Sequence, residues 1–160
     1  MFNLRNMQIE DIKKVQHVAK TSWNSTYAGI IPQEIQDKFI TSAYSDEIMK
    51  RRMERSLLFV SEVNEQIVGF ANYSPVRDDG AVELLAIYLL QEFQGNGIGT
   101  ALLMEGINSL EGVKEIFINV EKENHIGIAF YKAKGFVVDS EFDDDFEGHT
   151  LKTVRMVLKV

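Results

Sequence analysis

The chain has 160 residues, 45% apolar and 26% charged, with a formal net charge of −7 and no cysteine. That length and composition suit one folded unit, residues 1–160, with a real apolar core, and the missing thiols exclude disulfides, thiolate metal sites and a cysteine nucleophile. The acidic balance, with no basic run longer than Lys50-Arg51-Arg52, argues against nucleic acid as a partner; no stretch reaches the about 20 apolar residues of a membrane span, and the opening MFNLRNMQIEDIKK lacks the apolar segment of a signal peptide, so no membrane and a cytoplasmic location are expected.

Phe2 to Asn6 reads as a short strand. Ile9, Ile12, Val15, Ala19 and Trp23 recur at helical spacing, which predicts a helix from residue 9 into the mid-twenties. Pro32 suits the first turn of a second helix, and residues 45–55 read as a third, polar one. Ser56 to Glu62 and Ile67 to Tyr73 form strands around an Asn64-Glu65 turn. Ala81 to Leu90 is almost wholly apolar and predicts a strand buried on both faces. A glycine loop follows, then a helical stripe through Leu102, Leu103, Gly106, Ile107 and Leu110. Glu115 to Val120 is another buried strand, and Asn124 to Lys134 a helix closed by Gly135. On that helix Ile126, Ala129, Phe130 and Ala133 make the predicted core stripe. Phe136 to Ser140 and Leu151 to Leu158 read as an antiparallel pair joined by the acidic run Glu141 to Glu147. The order is mixed α/β with a βαβ unit at its centre.

Three features carry chemistry. Gln94-Gly95-Asn96-Gly97-Ile98-Gly99 opens a helix, whose N-terminal N–H groups and partial positive charge suit a pyrophosphate. Backbone donors need no basic surface, so the net charge does not oppose this. A Walker-type phosphate loop is excluded by the missing G-x-x-x-x-G-K-[ST] pattern. A dinucleotide fold, with Glu121 as the ribose acid, and a plain tight turn both stay open. Second, Glu83 is the lone charge in Ala81 to Leu90; with period 2 it shares a face with Leu85, Ile87 and Leu89. It is either a functional carboxylate or a solvated strand end. Third, Asn124, an N-cap, Gly127, Ile128 and Tyr131 line a neighbouring stripe of their helix, where Gly127 leaves space beside the Tyr131 phenol. His17, His125 and His149 are scattered and suggest no metal site.

Together these residues resemble the GNAT superfamily of acyl-CoA N-acyltransferases. One half of the match is the apolar strand leading into Q/R-x-x-G-x-G/A. The other is N-x-x-A-x-x-F-Y-x-x-x-G-F, here Asn124 to Phe136, departing only at Gly127, where the family usually has Ala. The resemblance is close over residues 80–137. It implies a mixed α/β fold with a central, mostly antiparallel twisted sheet, a βαβ unit and helices on both faces. It also implies acetyl-CoA as co-substrate, no metal, and transfer to a primary amine, a small molecule such as a polyamine, by direct attack in a ternary complex. By that resemblance the backbone at Ile87, Tyr88 and Leu89 holds the pantetheine arm. The amides of Gln94, Gly95, Asn96, Gly97, Ile98, Gly99 and Thr100 hold the pyrophosphate, and Asn124 contacts the cofactor. Tyr131 is the general acid for the leaving thiolate and Glu83 the general base. Trp23 and Tyr27, with Ala28 to Pro32, flank the acceptor, although Trp23 also continues the core stripe of its helix. The acidic run would attract a basic amine. A homodimer is compatible with this reading. A CoA-sensing module without turnover and a nucleotide-binding regulator are the competing functions.

Overall fold

The computed structural model describes residues 1–160. Seven strands form one sheet in the order β1-β2-β3-β4-β5-β7-β6. They are β1 Phe2–Asn6, β2 Leu57–Val63, β3 Gln66–Tyr73, β4 Ala81–Leu89, β5 Glu115–Glu121, β6 Val137–Phe146 and β7 His149–Lys159. All neighbours run antiparallel except β4 and β5, which are parallel. The helices are α1 Ile12–Tyr27, α2 Gln33–Ala43, α3 Asp46–Arg55, α4 Ile98–Ser109 and α5 His125–Ala133. Pro32 is the N-cap of α2 rather than a member of its first turn. No helix is long and apolar enough to cross a membrane.

The strand partners assign the helices to faces. On β3, Tyr73 donates its hydroxyl to the Leu103 carbonyl of α4 (3.1 Å). Its neighbour Asn72 points the other way and accepts from Arg52 of α3 (2.8 Å). Adjacent strand residues face opposite sides, so α4 covers one face and α3 the other. Trp23 of α1 reaches Tyr88 on the α3 side. Gly106 lets α4 approach: a Cβ there would collide with the Tyr73 ring.

Three expectations change here. First, β4 carries a bulge. Asn72 pairs with Ala86 but Tyr73 pairs with Leu84, so Leu85 is an extra residue. The bulge breaks the period of two. Glu83 therefore shares its face with Ala86 and Tyr88, not with Leu85, Ile87 and Leu89. Burial on both faces holds around the bulge: Val82 and Leu84 are buried on the α4 face and Ala81 and Ala86 on the other, and the extra residue Leu85 is 40% exposed. Second, α5 is turned from the predicted orientation. Tyr131 is buried and Ile128 half-buried, while Ala129 and Ala133 are exposed and Ile126 is 79% exposed. The expected core stripe is split: Phe130 is half-buried and packs beside Gly99, while Ile126, Ala129 and Ala133 face outward. Third, the acidic run is no loop. Glu141 to Phe146 belongs to β6, and the turn is only Glu147-Gly148, both at positive φ. Every β6 residue but Phe146 is exposed.

Candidate functional site

The centre of the molecule is an opening between two parallel strands. β4 and β5 are paired only at Ala81↔Glu115, Val82↔Ile116 and Glu83↔Phe117. Beyond Glu83, β4 continues to pair with β3 alone, and β5 with β7 alone. The strands splay, and from Leu84 and Ile118 onward each presents an unpaired edge to the gap. Such edges are ready to bond an extended ligand backbone. Ile87, Tyr88 and Leu89 lie on the β4 side of this gap, and Glu83 stands at its apex.

At the wide end lies the glycine loop. After a short 3-10 turn, Gln91–Phe93, the chain passes Gly95 (φ 83°) and Gly97 (φ 82°), the latter capping α4. A Cβ at either glycine would meet nothing, so the backbone conformation selects glycine there. Gly99 differs: a Cβ would come within 3.2 Å of the Phe130 ring, so this glycine lets α5 pack against α4. None of the six consecutive amides from Gly95 to Thr100 donates to a protein acceptor; the first bond of the helix is Ala101 N–H to Gly97 O at 3.0 Å. Gln94 N–H is excepted, being spent on the Gln91 carbonyl (3.2 Å). Six free donors converging at a helix start with no carboxylate in its first turn make an anion cradle.

On the far side of the gap, Asn124 caps α5, its carboxamide oxygen accepting the Gly127 N–H (2.9 Å). A Cβ at residue 127 would lie 2.6 Å from the Asn124 amide nitrogen, so Gly127 is what lets this side chain fold over its own helix. The space beside Tyr131 is thus filled by Asn124 rather than open. Tyr131 is 7% exposed, with edge contacts to Phe130 and Phe136. Burial pushes its phenol well above the usual tyrosine range, and the neighbouring Tyr88, Tyr27 and Tyr73 add to the shift. It therefore keeps its proton across the physiological range, as a proton donor must.

Trp23 and Tyr27 fill a second, smaller core. The Trp23 ring stacks on Phe39 (4.3 Å) and Phe146 (5.6 Å) and touches Tyr27 (4.5 Å), and its Nε1–H donates to the Tyr88 hydroxyl (2.8 Å). Trp23 is 6% and Tyr27 9% exposed. Burial raises the Tyr27 phenol, while the Asn124 amide beside it pulls the other way. This cluster ties α1 and α2 to the β6–β7 hairpin and supports Tyr88 from behind.

The face that carries Glu83 holds residues the sequence reading did not single out. Phe117, the β5 partner of Glu83, is 3% exposed yet belongs to neither apolar core. Its cover is two guanidinium groups, Arg155 at 3.9 Å and Arg77 at 5.1 Å from the ring centre. Two residues on, Asn119 is exposed in the middle of a central strand, so this face of β5 is open. The available signal was Asn119 itself, the one polar residue inside Ile116 to Val120. The arginines, distant in sequence, had none.

The comparisons agree with this geometry. The profile of the acetyltransferase (GNAT) family matches residues 20–136. The spermidine N(1)-acetyltransferase of Thermoplasma acidophilum is 31% identical, the alignment covering 89% of this chain and 92% of that protein. The uncharacterized N-acetyltransferase YuaI of Bacillus subtilis is 34% identical over 98% of this chain and 92% of that one. Among solved structures, the PaiA N-acetyltransferase of Thermoplasma acidophilum in complex with coenzyme A superposes with a TM-score of 0.86 at 27% identity, covering 100% of this chain and 99% of the other. Splayed strands, a glycine cradle and a buried tyrosine on the facing helix thus occur in a chain that belongs to the acetyltransferase (GNAT) family.

Proposed function

We propose that this chain transfers an acetyl group from acetyl-CoA to a primary amine of a small molecule, by direct attack within a ternary complex. The observation that carries this reading is the row of six unpaired amides at the mouth of a gap edged by two unpaired strands. The amides of Gly95 to Thr100 bind the pyrophosphate, with Gln94 at the entrance, and the β4 backbone at Ile87, Tyr88 and Leu89 binds the pantetheine arm as an added strand would. Asn124 closes the α5 side. Trp23 and Tyr27 act from beneath as the wall behind Tyr88, a positioning role that their burial supports. The 27% identical neighbour crystallised with coenzyme A supports the choice of cofactor.

The proton bookkeeping follows from position. An attacking ammonium, with an ordinary pKa near 10, must lose a proton. Glu83, at the apex and on the open face, accepts it. The leaving thiolate takes a proton from Tyr131, which burial keeps protonated. With no cysteine in the chain, no thiol acyl-enzyme forms and the amine attacks the thioester itself.

A polyamine acceptor is a second reading, favoured by the spermidine-acetylating relative. The test of the main reading is thiol release, followed with DTNB, across a panel of amines, beside thermal shift with acetyl-CoA, NAD and ATP. Stabilisation by acetyl-CoA alone and amine-dependent release are expected. Stabilisation by NAD or ATP but not acetyl-CoA would overturn it; stabilisation by acetyl-CoA without release from any amine would favour a sensor.

A further inference from the structure

The arginine pair beside Glu83 bears on what the acceptor must carry. Phe117 is a buried phenylalanine whose ring is covered by the guanidinium groups of Arg77 and Arg155 rather than by apolar side chains. Two like charges held on one ring repel unless an anion lies between or beside them. The protein supplies little of that anion. Arg155 has one ion-pair contact, Asp139 at 4.0 Å, on an exposed carboxylate; no ion pair involves Arg77, and neither arginine reaches Glu83. Both guanidinium groups keep donors available, and a guanidinium fork matches a carboxylate or phosphate.

Their location rules out a role toward the pyrophosphate. Phe117 pairs with Glu83 at the apex of the gap, and the strand from Glu83 to Leu89 spans about 20 Å before the glycine loop begins. The arginines sit instead on the open face of β5, the face from which an amine would reach Glu83, with Asn119 exposed two residues on. The Phe117 ring attracts both guanidinium groups and so restricts them before an acceptor binds.

We infer that the acceptor is a primary amine that also bears an anionic group, a carboxylate or phosphate, and that Arg155 and Arg77 hold that group while the amine faces Glu83. This rests on the acetyl-transfer reading and selects against a plain polyamine, whose second ammonium would meet two guanidinium groups. The pair sets specificity and takes no part in bond making.

Matched acceptors decide it, since ornithine is putrescine with a carboxylate and phosphoethanolamine is ethanolamine with a phosphate. Wild-type kcat/KM is expected to favour the anionic member of at least one matched set by about 10- to 100-fold, the size of a charge-assisted contact. Which set shows the preference identifies the anion. In Arg155→Gln and in Arg77→Gln the ratio within that set falls toward one through KM, and Arg155→Lys restores part of it. Acetyl-CoA melting shifts on each variant report that it is folded. Equal or better use of the neutral-tailed amines by wild type overturns the inference while leaving acetyl transfer standing. Release from no amine overturns both.

Discussion

The two sides of the central gap are built from different materials. The side proposed to hold the cofactor is backbone: six amides, two strand edges and the glycines that shape them. On the proposed reading the acceptor side is side chain: a guanidinium-covered Phe117, and the buried aromatic cluster of Trp23, Tyr27, Phe39 and Phe146 that backs Tyr88. A backbone site binds what is common to all acyl-CoA substrates and requires mainly that certain residues be small. A side-chain site is assembled from α1, α2, the β3–β4 loop, β5 and the hairpin, and any one of these can change what it accepts. The comparison teaches that substrate choice here is expected to be far more plastic than cofactor choice.

The largest effect that would sharpen this division lies where the two sides meet. Tyr131→Phe is expected to lower turnover by about 10²- to 10⁴-fold, the span of general acid catalysis, with acetyl-CoA affinity nearly intact by calorimetry. Wild-type turnover would remove its acid role. Because burial raises the Tyr131 phenol, the acid form persists above the ordinary tyrosine range. The deprotonated fraction of the amine grows with pH meanwhile, so kcat/KM should climb toward pH 10 and not turn down before it. A decline beginning in the neutral range would show that some other group supplies the proton.

Next comes Glu83→Gln, with an expected loss of about 10²-fold in kcat/KM, largest near neutral pH where the amine is charged. An unchanged pH–rate profile would leave Glu83 as a solvated strand end. On the backbone side, Gly97→Val places a branched residue at φ 82°, a strain of about 1–2 kcal/mol. Acetyl-CoA affinity should fall about tenfold, while the preference among amines stays as it was. A change in that preference would break the separation of the two sides.

How far the sequence predicted each side follows the same division. The glycine loop was legible because its message is local: positive φ at Gly95 and Gly97 and close packing at Gly99 all select one residue type. Most strand and helix positions were legible from periodicity; the start of α1 and the length of β6 were not. What failed was long-range. The bulge at Leu85 moved Glu83 to the opposite face from the one its period predicted, and nothing in Ala81 to Leu90 announces it. The hairpin was longer than expected, because pairing with β7 holds Asp143 to Asp145 in a strand despite their poor strand preference. Trp23 was expected to be both core and acceptor wall; its burial and its bond to Tyr88 account for the first. Arg77 and Arg155 escaped notice because only the fold brings them to one ring.

The smallest expected effect tests the one departure from the family pattern. Gly127→Ala installs the usual residue and removes a helical glycine, which alone would stabilise α5 by about 1 kcal/mol. Here the new Cβ would lie 2.6 Å from the Asn124 amide nitrogen. Asn124 must then swing away, leaving the Gly127 N–H it accepts and the neighbourhood of Tyr27. A lost cap costs about 1 kcal/mol, so the two terms nearly cancel and the Tm should barely move. Asn124 borders both sides of the gap. Its displacement should therefore raise the KM for acetyl-CoA and for the amine together, each by a few-fold. A clear rise in Tm with both constants unchanged would mean that the carboxamide tolerates the methyl and that Gly127 has no part in shaping the site.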